Sequence, residues 1–449
     1  MHSVFRTSFL LFIFFLLSCK KDKKDSIAPS IVCNSPTVGQ HYNMFDTVVV
    51  NAQVSDNEHL SSVNVTLTDL NHTPLQASMP VPIQSAGFTF TLKYILTQYH
   101  LQTGTYLIQI NADDGYNTSS YYQSIIITES PTLLWGYCTV LKTHPQTIIQ
   151  FDTTQGPQYP ISSIVLSQAY NGMKYGGYNQ ELFVNGKGLA RPFQAFYLQQ
   201  QAANQLIYSA SATANQVDYT SLYTDGTNPY VGFLNSDVNS FTNTGNYSTS
   251  YRLNDINFYP YLFTKTSNYG IGVYKSKIAS VPDKIASFTG FGAFNQSIAL
   301  PAKFKAIAVF EKGVHQDSIY VLGNDTSTNQ AQIYIYQPVE NSFSLTSLTV
   351  SGNYGKMQSA VMVNNEYVLF STPLGIYPVV NDNLNVALLN LNAQKLVYQP
   401  KQNRLTVATT TGYLNSYIVG TTSLTPVLGM HQSINMGDSI IDFEVITNK

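Results

Sequence analysis

Tyr367–Ser371 (YVLFS) runs through Pro373 into Gly375-Ile376-Tyr377, and the same layout returns twice nearby. Upstream, Ser318–Leu322 (SIYVL) leads through Asn324–Asn329 to Gln332–Tyr336 (QIYIY). Downstream, Leu405–Thr409 (LTVAT) leads through Gly412 to Tyr413–Tyr417 (YLNSY). Each unit is a pair of short β-branched and aromatic runs around a turn, the pattern of a hairpin. The closing tyrosines 336, 377 and 417 are 41 and 40 residues apart. A β-strand period near 40 predicts a propeller, a ring of small sheets that leaves few open edges.

The repeat extends outward. Tyr261–Lys265 (YLFTK) leads to Gly270–Tyr274, while Gln205–Ser209 (QLIYS) with Gln216–Tyr219, and Thr147–Phe151 (TIIQF), look like further members. The interval from Tyr274 to Tyr336 is 62, which calls for a longer loop there. The 320 residues from 130 to 449 fit about seven four-stranded blades. The repeats carry no WD40 or kelch signature, and several tandem β-sandwiches are the alternative. Asp438–Ile446 (DSIIDFEVI) is placed to pair with a blade begun near Leu133–Thr139 and close the ring. The nearest approach to a helical pattern, Ala195–Ala203, is short and leads into another strand.

Residues 30–129 read differently. Thr47–Val54, Ser62–Leu67, Phe88–Leu92, Thr105–Ala112 and Tyr121–Thr128 alternate apolar and polar residues. Turn clusters such as Ser55–Glu58 and Asp113-Asp114-Gly115 separate them, which predicts a β-sandwich. The pattern VxDNExLSSVxV, followed by GTYxxxxxADDG, resembles bacterial Ig-like, PKD-like and fibronectin-III-like modules. The Cys…Trp…Cys of antibody domains is missing, so the resemblance implies the architecture alone. In such a sandwich Asp56, Glu58, Asp113 and Asp114 share one pole, the pole where the preceding chain enters. Four carboxylates there suit calcium, a hard cation that takes six to eight oxygens. The same Asp-Asn and Asp-Gly steps also simply start turns. The whole reading is an all-β chain with an N-terminal Ig-like sandwich, a spacer, followed by a β-propeller.

The N-terminus sets a compartment. Arg6 precedes Phe9–Leu17 (FLLFIFFLL), an apolar run too short to span a bilayer and suited to a secretory signal. Leu16-Leu17-Ser18-Cys19 resembles a bacterial lipobox. The resemblance implies removal of residues 1–18 and lipidation of Cys19, with 19–29 as a charged tether. SCKKDKKD is similar to the start of Bacteroidetes-type lipoproteins, which implies the outer membrane. The tether's lysines leave the periplasmic and the cell-surface face both open.

Composition narrows the function. Lys+Arg number 23 against Asp+Glu 25, and charged residues are 11% of the chain. That excludes the cationic footprint a nucleic-acid partner needs. Hydrophobic content of 44% excludes a disordered chain. Cys33 and Cys138 are the cysteines left after Cys19, either paired in an oxidising envelope or buried as thiols. His41, His59, His72, His100, His144, His315 and His431 are scattered, with no HExxH or CxxC, so no transition-metal site is read. Asp followed by Ser or Thr at Ser26, Thr47, Thr153, Ser318 and Ser439 resembles the O-glycosylation acceptor of exported Bacteroidetes proteins.

No nucleophile elbow or phosphate loop is present, and the last 320 residues hold five Glu and eleven Asp, mostly at turns. No cofactor is required by these residues. Tyr170, Tyr175 and Tyr178, with Phe258, Tyr259 and Tyr261, sit among Asn and Gln, a composition suited to glycan or peptide recognition. The expectation is a membrane-anchored, non-catalytic binding protein whose partner is a glycan, a peptide or another envelope protein. A propeller hydrolase or lyase, with carboxylates drawn from separate blades, and a structural subunit of an uptake or adhesion complex are the alternatives.

Overall fold

A computed structural model describes residues 25–98, 100–152, 159–166, 169–186, 193–198, 205–210, 219–313, 318–345, 353–420 and 428–448. Two compact units divide the chain, residues 1–131 and 132–449. The boundary falls two positions from the one the sequence suggests.

In the first unit, Thr47–Ser55 buries every second residue, Val48, Val50, Ala52 and Val54. A strand's side chains alternate between faces, so this pattern gives one face to the core. The strand pairs antiparallel with Ser30–Ser35 on one side and Gly87–Ile95 on the other. The second sheet has five strands, with Gly104–Asp113 between Thr118–Thr128 and Ser62–Thr68. Both sheets contribute to one hydrophobic core that includes Val50, Val65, Ile110 and Ile127. The unit is therefore a two-sheet sandwich.

The second unit holds seven four-stranded antiparallel sheets among the described residues. The second blade starts at Tyr170–Gly176, the third at Tyr219–Thr224 and the fourth at Phe258–Lys265. The fifth starts at Phe304–Lys312, the sixth at Ser359–Asn364 and the seventh at Ala393–Gln399. These first strands contact one another in succession around the ring. The first blade is composite. Leu134–Leu141, His144–Asp152 and Ser162–Val165 supply three strands, and the C-terminal Ile440–Thr447 supplies the innermost. It pairs antiparallel with Leu134–Leu141, placing Glu444 opposite Cys138 and Phe443 opposite Thr139. The ring thus closes between its two chain ends, as the sequence suggests.

Packing explains the sequence's tyrosine and phenylalanine. Tyr251 of the third blade and Phe263 of the fourth have ring centroids 5.0 Å apart. Phe443 and Tyr137 of the first blade pack with Ala408 and Leu414 of the seventh, while Cys138 and Ile446 pack with Met173 and Leu182 of the second. Many of the rings thus pack within a blade or between neighbouring blades, as Tyr274 does on Phe288 and Tyr223 on Phe263.

One spacing argument is corrected. Tyr336, Tyr377 and Tyr417 all lie on third strands, but Tyr274 lies on a second strand, Tyr269–Ser276. The 62-residue interval therefore spans a full blade plus one strand, and no long loop is needed. The residues around Ala195 form a strand, Phe193–Tyr197.

Candidate functional site

The closing strand Ile440–Thr447 runs between the first strands of the seventh and second blades. Asp442 and Glu444, two positions apart, lie on the same side of it. From the seventh blade, Lys395 Nζ donates to Asp442 Oδ1, to Phe443 O at 2.6 Å and to Glu444 Oε1 at 3.0 Å. From the second blade, Lys174 Nζ donates to the same Glu444 oxygen at 3.0 Å, and Tyr170 OH donates to Asp442 Oδ2. Two ammonium groups and two carboxylates balance. The side chains of Lys395, Asp442 and Glu444 are only 20%, 18% and 9% exposed.

Removing charge from water is costly unless it is paired and hydrogen-bonded. Burial pushes the Asp442 carboxyl up, but the ammonium groups of Lys395 and Lys174 outweigh it, and the carboxyl is held below the usual range. Burial works to lower Lys395, and the two carboxylates overcome it and raise the amine. Tyr170 is pushed well up by burial and by the Asp442 charge. All three groups are fixed in one protonation state near neutrality. A general acid or base needs the opposite.

A pocket of about 240 Å³ opens beside Glu444, between the same blades. Tyr175, Tyr398, Val397 and Pro400 form its walls, and Gln399 and Thr132 lie among them. The Tyr175 hydroxyl donates to Thr447 O at 2.5 Å, and Tyr398 donates to Asn403 Oδ1 at 3.1 Å, which fixes both rings. Gln399 is different. Its Nε2 and Oε1 are both buried with no hydrogen-bond partner among the described residues, as is Thr132 Oγ1. A buried polar group without a partner is costly, and these three atoms, closed to solvent, carry that cost.

The acidic pole of the first unit takes a different set from the expected one. Carboxylate oxygens of Asp25, Asp56 and Asp114 lie within 4.8 Å of one another. Asp56 and Asp114 were expected there; Asp25, from the tether, was not. Asp113 is turned toward Ser61, Gly115 and Thr118, and Glu58 is exposed, its backbone N–H donating to Asp56 Oδ1. Asp114 accepts from the Tyr116 and Asn117 amides, both at 2.6 Å, so it also builds its turn. Asp56 Oδ2 is buried without a partner among the described residues, which fits a cation's need for oxygen.

Of the two states the sequence leaves open for Cys33 and Cys138, the structure has free thiols at both. Cys138 is fully buried within the propeller, and burial pushes its thiol up. Cys33 is half-buried and donates to Ser35 O at 3.1 Å. Of the glycosylation candidates, Ser26 and Thr47 are exposed, and Ser318 and Ser439 are partly so. Asp438 caps the closure, its Oδ2 accepting from the Thr143 amide and hydroxyl at 2.7 Å. Cys19, Thr153 and His315 lie outside the described residues. Among the described residues no helix is long and apolar enough to cross a membrane. Of the tyrosines singled out from sequence, Tyr170 joins the charged network, Tyr175 lines the pocket and Tyr178 is half exposed. Phe258 is buried, and Tyr261 accepts from the Ala306 amide.

No known protein family matches the sequence, and no curated protein does. Solved structures are similar in fold. A 6-phosphogluconolactonase candidate from Bacteroides uniformis is 10% identical, with 69% of this chain and 99% of that one covered and a TM-score of 0.48. A quinonprotein alcohol dehydrogenase-like protein from Bacteroides thetaiotaomicron is 12% identical over 94% and 99% of the two chains, with a TM-score of 0.42. The Cps50 (Swd1) β-propeller domain of Myceliophteria thermophila is 9% identical over 60% and 88%, also at 0.42.

Proposed function

We propose that this chain is an outer-membrane lipoprotein anchored through Cys19, with the sandwich as a spacer and the propeller as a non-catalytic recognition module. Its ligand is a glycan, a peptide or another envelope protein, bound at the pocket beside the closing strand. One observation carries the reading: the pocket is walled by two tyrosine rings, Tyr175 and Tyr398, each held in place by a hydrogen bond of its own hydroxyl. Fixed aromatic faces in a small pocket suit stacking against the apolar face of a ligand.

The hydrolase or lyase alternative needs a carboxyl that keeps its proton at working pH. Asp442 is held ionised by lysines, which argues against it. Glu181 does have a raised value, pushed up to about 7 by burial, but it does not line the pocket. For the acidic pole, we propose calcium held by Asp25, Asp56 and Asp114.

The test is a glycan and peptide array probed with the soluble chain beginning at Ser26, followed by product analysis of each bound glycan. Binding without cleavage supports recognition. Cleavage overturns it. No binding on either array moves the role to a protein partner, sought by cross-linking in intact cells.

A further inference from the structure

We propose that two copies of this chain pair edge to edge through Gly87–Ile95 of the sandwich, around a two-fold axis at Thr91. This goes beyond the recognition reading and uses none of its residues. The strand ends its three-stranded sheet and pairs with Thr47–Ser55 alone. In an antiparallel ladder, residues that bond the neighbouring strand alternate with residues whose N–H and C=O point away from it. Two bonds fix which are which. Leu96 N donates to Asp46 O at 3.1 Å beyond one end of the ladder, and Asp56 N donates to Ala86 O at 2.8 Å beyond the other. The even-numbered residues therefore bond the neighbouring strand, and the odd-numbered ones turn their backbone groups outward.

Side chains close both ends of that outward edge. Ser85 Oγ donates to Gly87 O at 2.6 Å, and Gln76 Nε2 donates to Ile95 O at 2.7 Å. Gln76 Oε1 also accepts from Thr97 N at 3.0 Å, so its amide stands in for a strand partner there. Thr89, Thr91 and Lys93 stay open between the two ends, and all three are exposed. Their N–H and C=O groups have no partner among the described residues. An open row of this kind is a template for another strand.

The slot is self-complementary. Its closed ends, Gly87 and Ile95, lie symmetrically on either side of Thr91. In a two-fold antiparallel pair centred there, Thr91 faces Thr91 of the partner subunit, and Thr89 faces the partner's Lys93. Each facing pair exchanges two hydrogen bonds, so every open group of both copies is used and the capped carbonyls are left alone. Like charges are not opposed. The two Lys93 ammonium groups stand at opposite ends of the slot, about 14 Å apart along the strand, beyond the ~8–10 Å over which exposed charges are felt. A foreign strand must fit a short slot closed at both ends, whereas the chain's own copy fits it by symmetry.

Hydrogen bonds made in water add little each, so the contact is weak and trapping suits it. The test is cysteine trapping in the full mature protein, with Cys33→Ser added to remove the half-buried native thiol. Facing residues of a hydrogen-bonded pair have Cα atoms ~5.5 Å apart, within disulfide range, so Thr91→Cys is expected to give a covalent dimer under mild oxidation. Thr89→Cys faces a lysine, its own copy lying about 14 Å away, and is expected to give about tenfold less dimer. Thr89→Cys combined with Lys93→Cys is expected to restore it. Adding Thr91→Pro to that pair removes an N–H the monomer does not use, and is expected to abolish the dimer while the chain still melts cooperatively. Equal dimer from Thr91→Cys and Thr89→Cys would mean random collision and overturns the register. Trapping of another protein by Thr91→Cys overturns the choice of a second copy. Absence of any dimer from Thr91→Cys overturns the pairing itself, whatever the glycan and peptide arrays show.

Discussion

Lys395 Nζ of the seventh blade and Glu444 Oε1 of the closing strand lie 3.0 Å apart, joining two segments 49 residues distant in the chain. The same ammonium group also holds Asp442, so one side chain carries both carboxylates of the closing strand. Lys395→Met is expected to strand two largely buried anions, with Lys174, Tyr170 and the Phe443 amide left to meet them. A loss of about 2–4 kcal/mol follows, somewhat under the full cost of breaking a buried pair because the site is partly solvated. Denaturant unfolding measures it. Combining Lys395→Met with Asp442→Asn is expected to recover part of the loss, and simple additivity of the two would refute the coupling.

The same network sets an acid limit. Asp442 is held below its ordinary value in the folded chain, so it adds stability that is complete above the unfolded carboxylate range near pH 4. That contribution fades as pH falls through the lowered folded value. The chain is expected to lose stability below about pH 4, and Asp442→Asn is expected to flatten that part of the curve. An identical acid slope in the variant would assign the loss to other carboxylates.

Glu181 behaves in the opposite sense. It is 4% exposed, and burial pushes its carboxyl up to about 7. The folded chain therefore binds this proton more tightly than the unfolded chain, whose value is near 4.3. Stability from this group is full below about pH 4 and is lost as pH rises through 7. Glu181→Gln, permanently neutral, is expected to gain on the wild type by about 1 kcal/mol or more at pH 8.5 and to differ little at pH 4. Melting temperatures at the two pH values test it; an equal offset at both would point to packing instead.

The sandwich was largely legible because Val48, Val50, Ala52 and Val54 alternate so strictly that only one register buries them. The ring closure was legible because Asp438–Ile446 is a strand with no partner left at the end of a repeat. Blade register was less so, since Tyr274 and Tyr336 look alike in sequence yet sit on second and third strands. The pocket was hidden. Thr132 and Tyr175 come from the start of the second unit and Gln399 and Glu444 from its end, and no local spacing links them. Asp25 was missed for another reason: in a run of Lys and Asp it reads as solvated tether, and only the fold puts it beside Asp56 and Asp114.

Two glycines separate backbone strain from contact at the closure. Gly412 has φ +84°, and a Cβ there would lie 2.4 Å from Asp438 O, in the turn that also ties Thr143. Gly437 has φ +71° with nothing within 4 Å of its would-be Cβ. Gly437→Ala is expected to lose about 1 kcal/mol from the left-handed backbone alone. Gly412→Ala carries that cost and must also displace Asp438, and is expected to lose about 2–4 kcal/mol. Comparable losses in the two variants would show that the Asp438 turn yields freely.

The acidic pole supplies the last expectation. Three carboxylates whose oxygens lie within 4.8 Å repel one another unless a cation or a proton intervenes. Asp114 also builds its own turn, so replacing it confounds folding with binding. Asp25 is the cleaner choice, because among the described residues its side chain accepts from Ile27 N at 2.9 Å and Asn57 Nδ2 at 3.1 Å and builds no turn of the sandwich. Calcium is expected to raise the melting temperature of the intact protein relative to a chelator, with magnesium less effective because it demands a tighter octahedral shell. Asp25→Asn is expected to weaken calcium binding by about tenfold while leaving the chelated protein's melting temperature unchanged. Calorimetry with no calcium heat in the wild type would mean that the turn amides alone steady the three carboxylates, and the tether would then be held by Asn57 and Asn117.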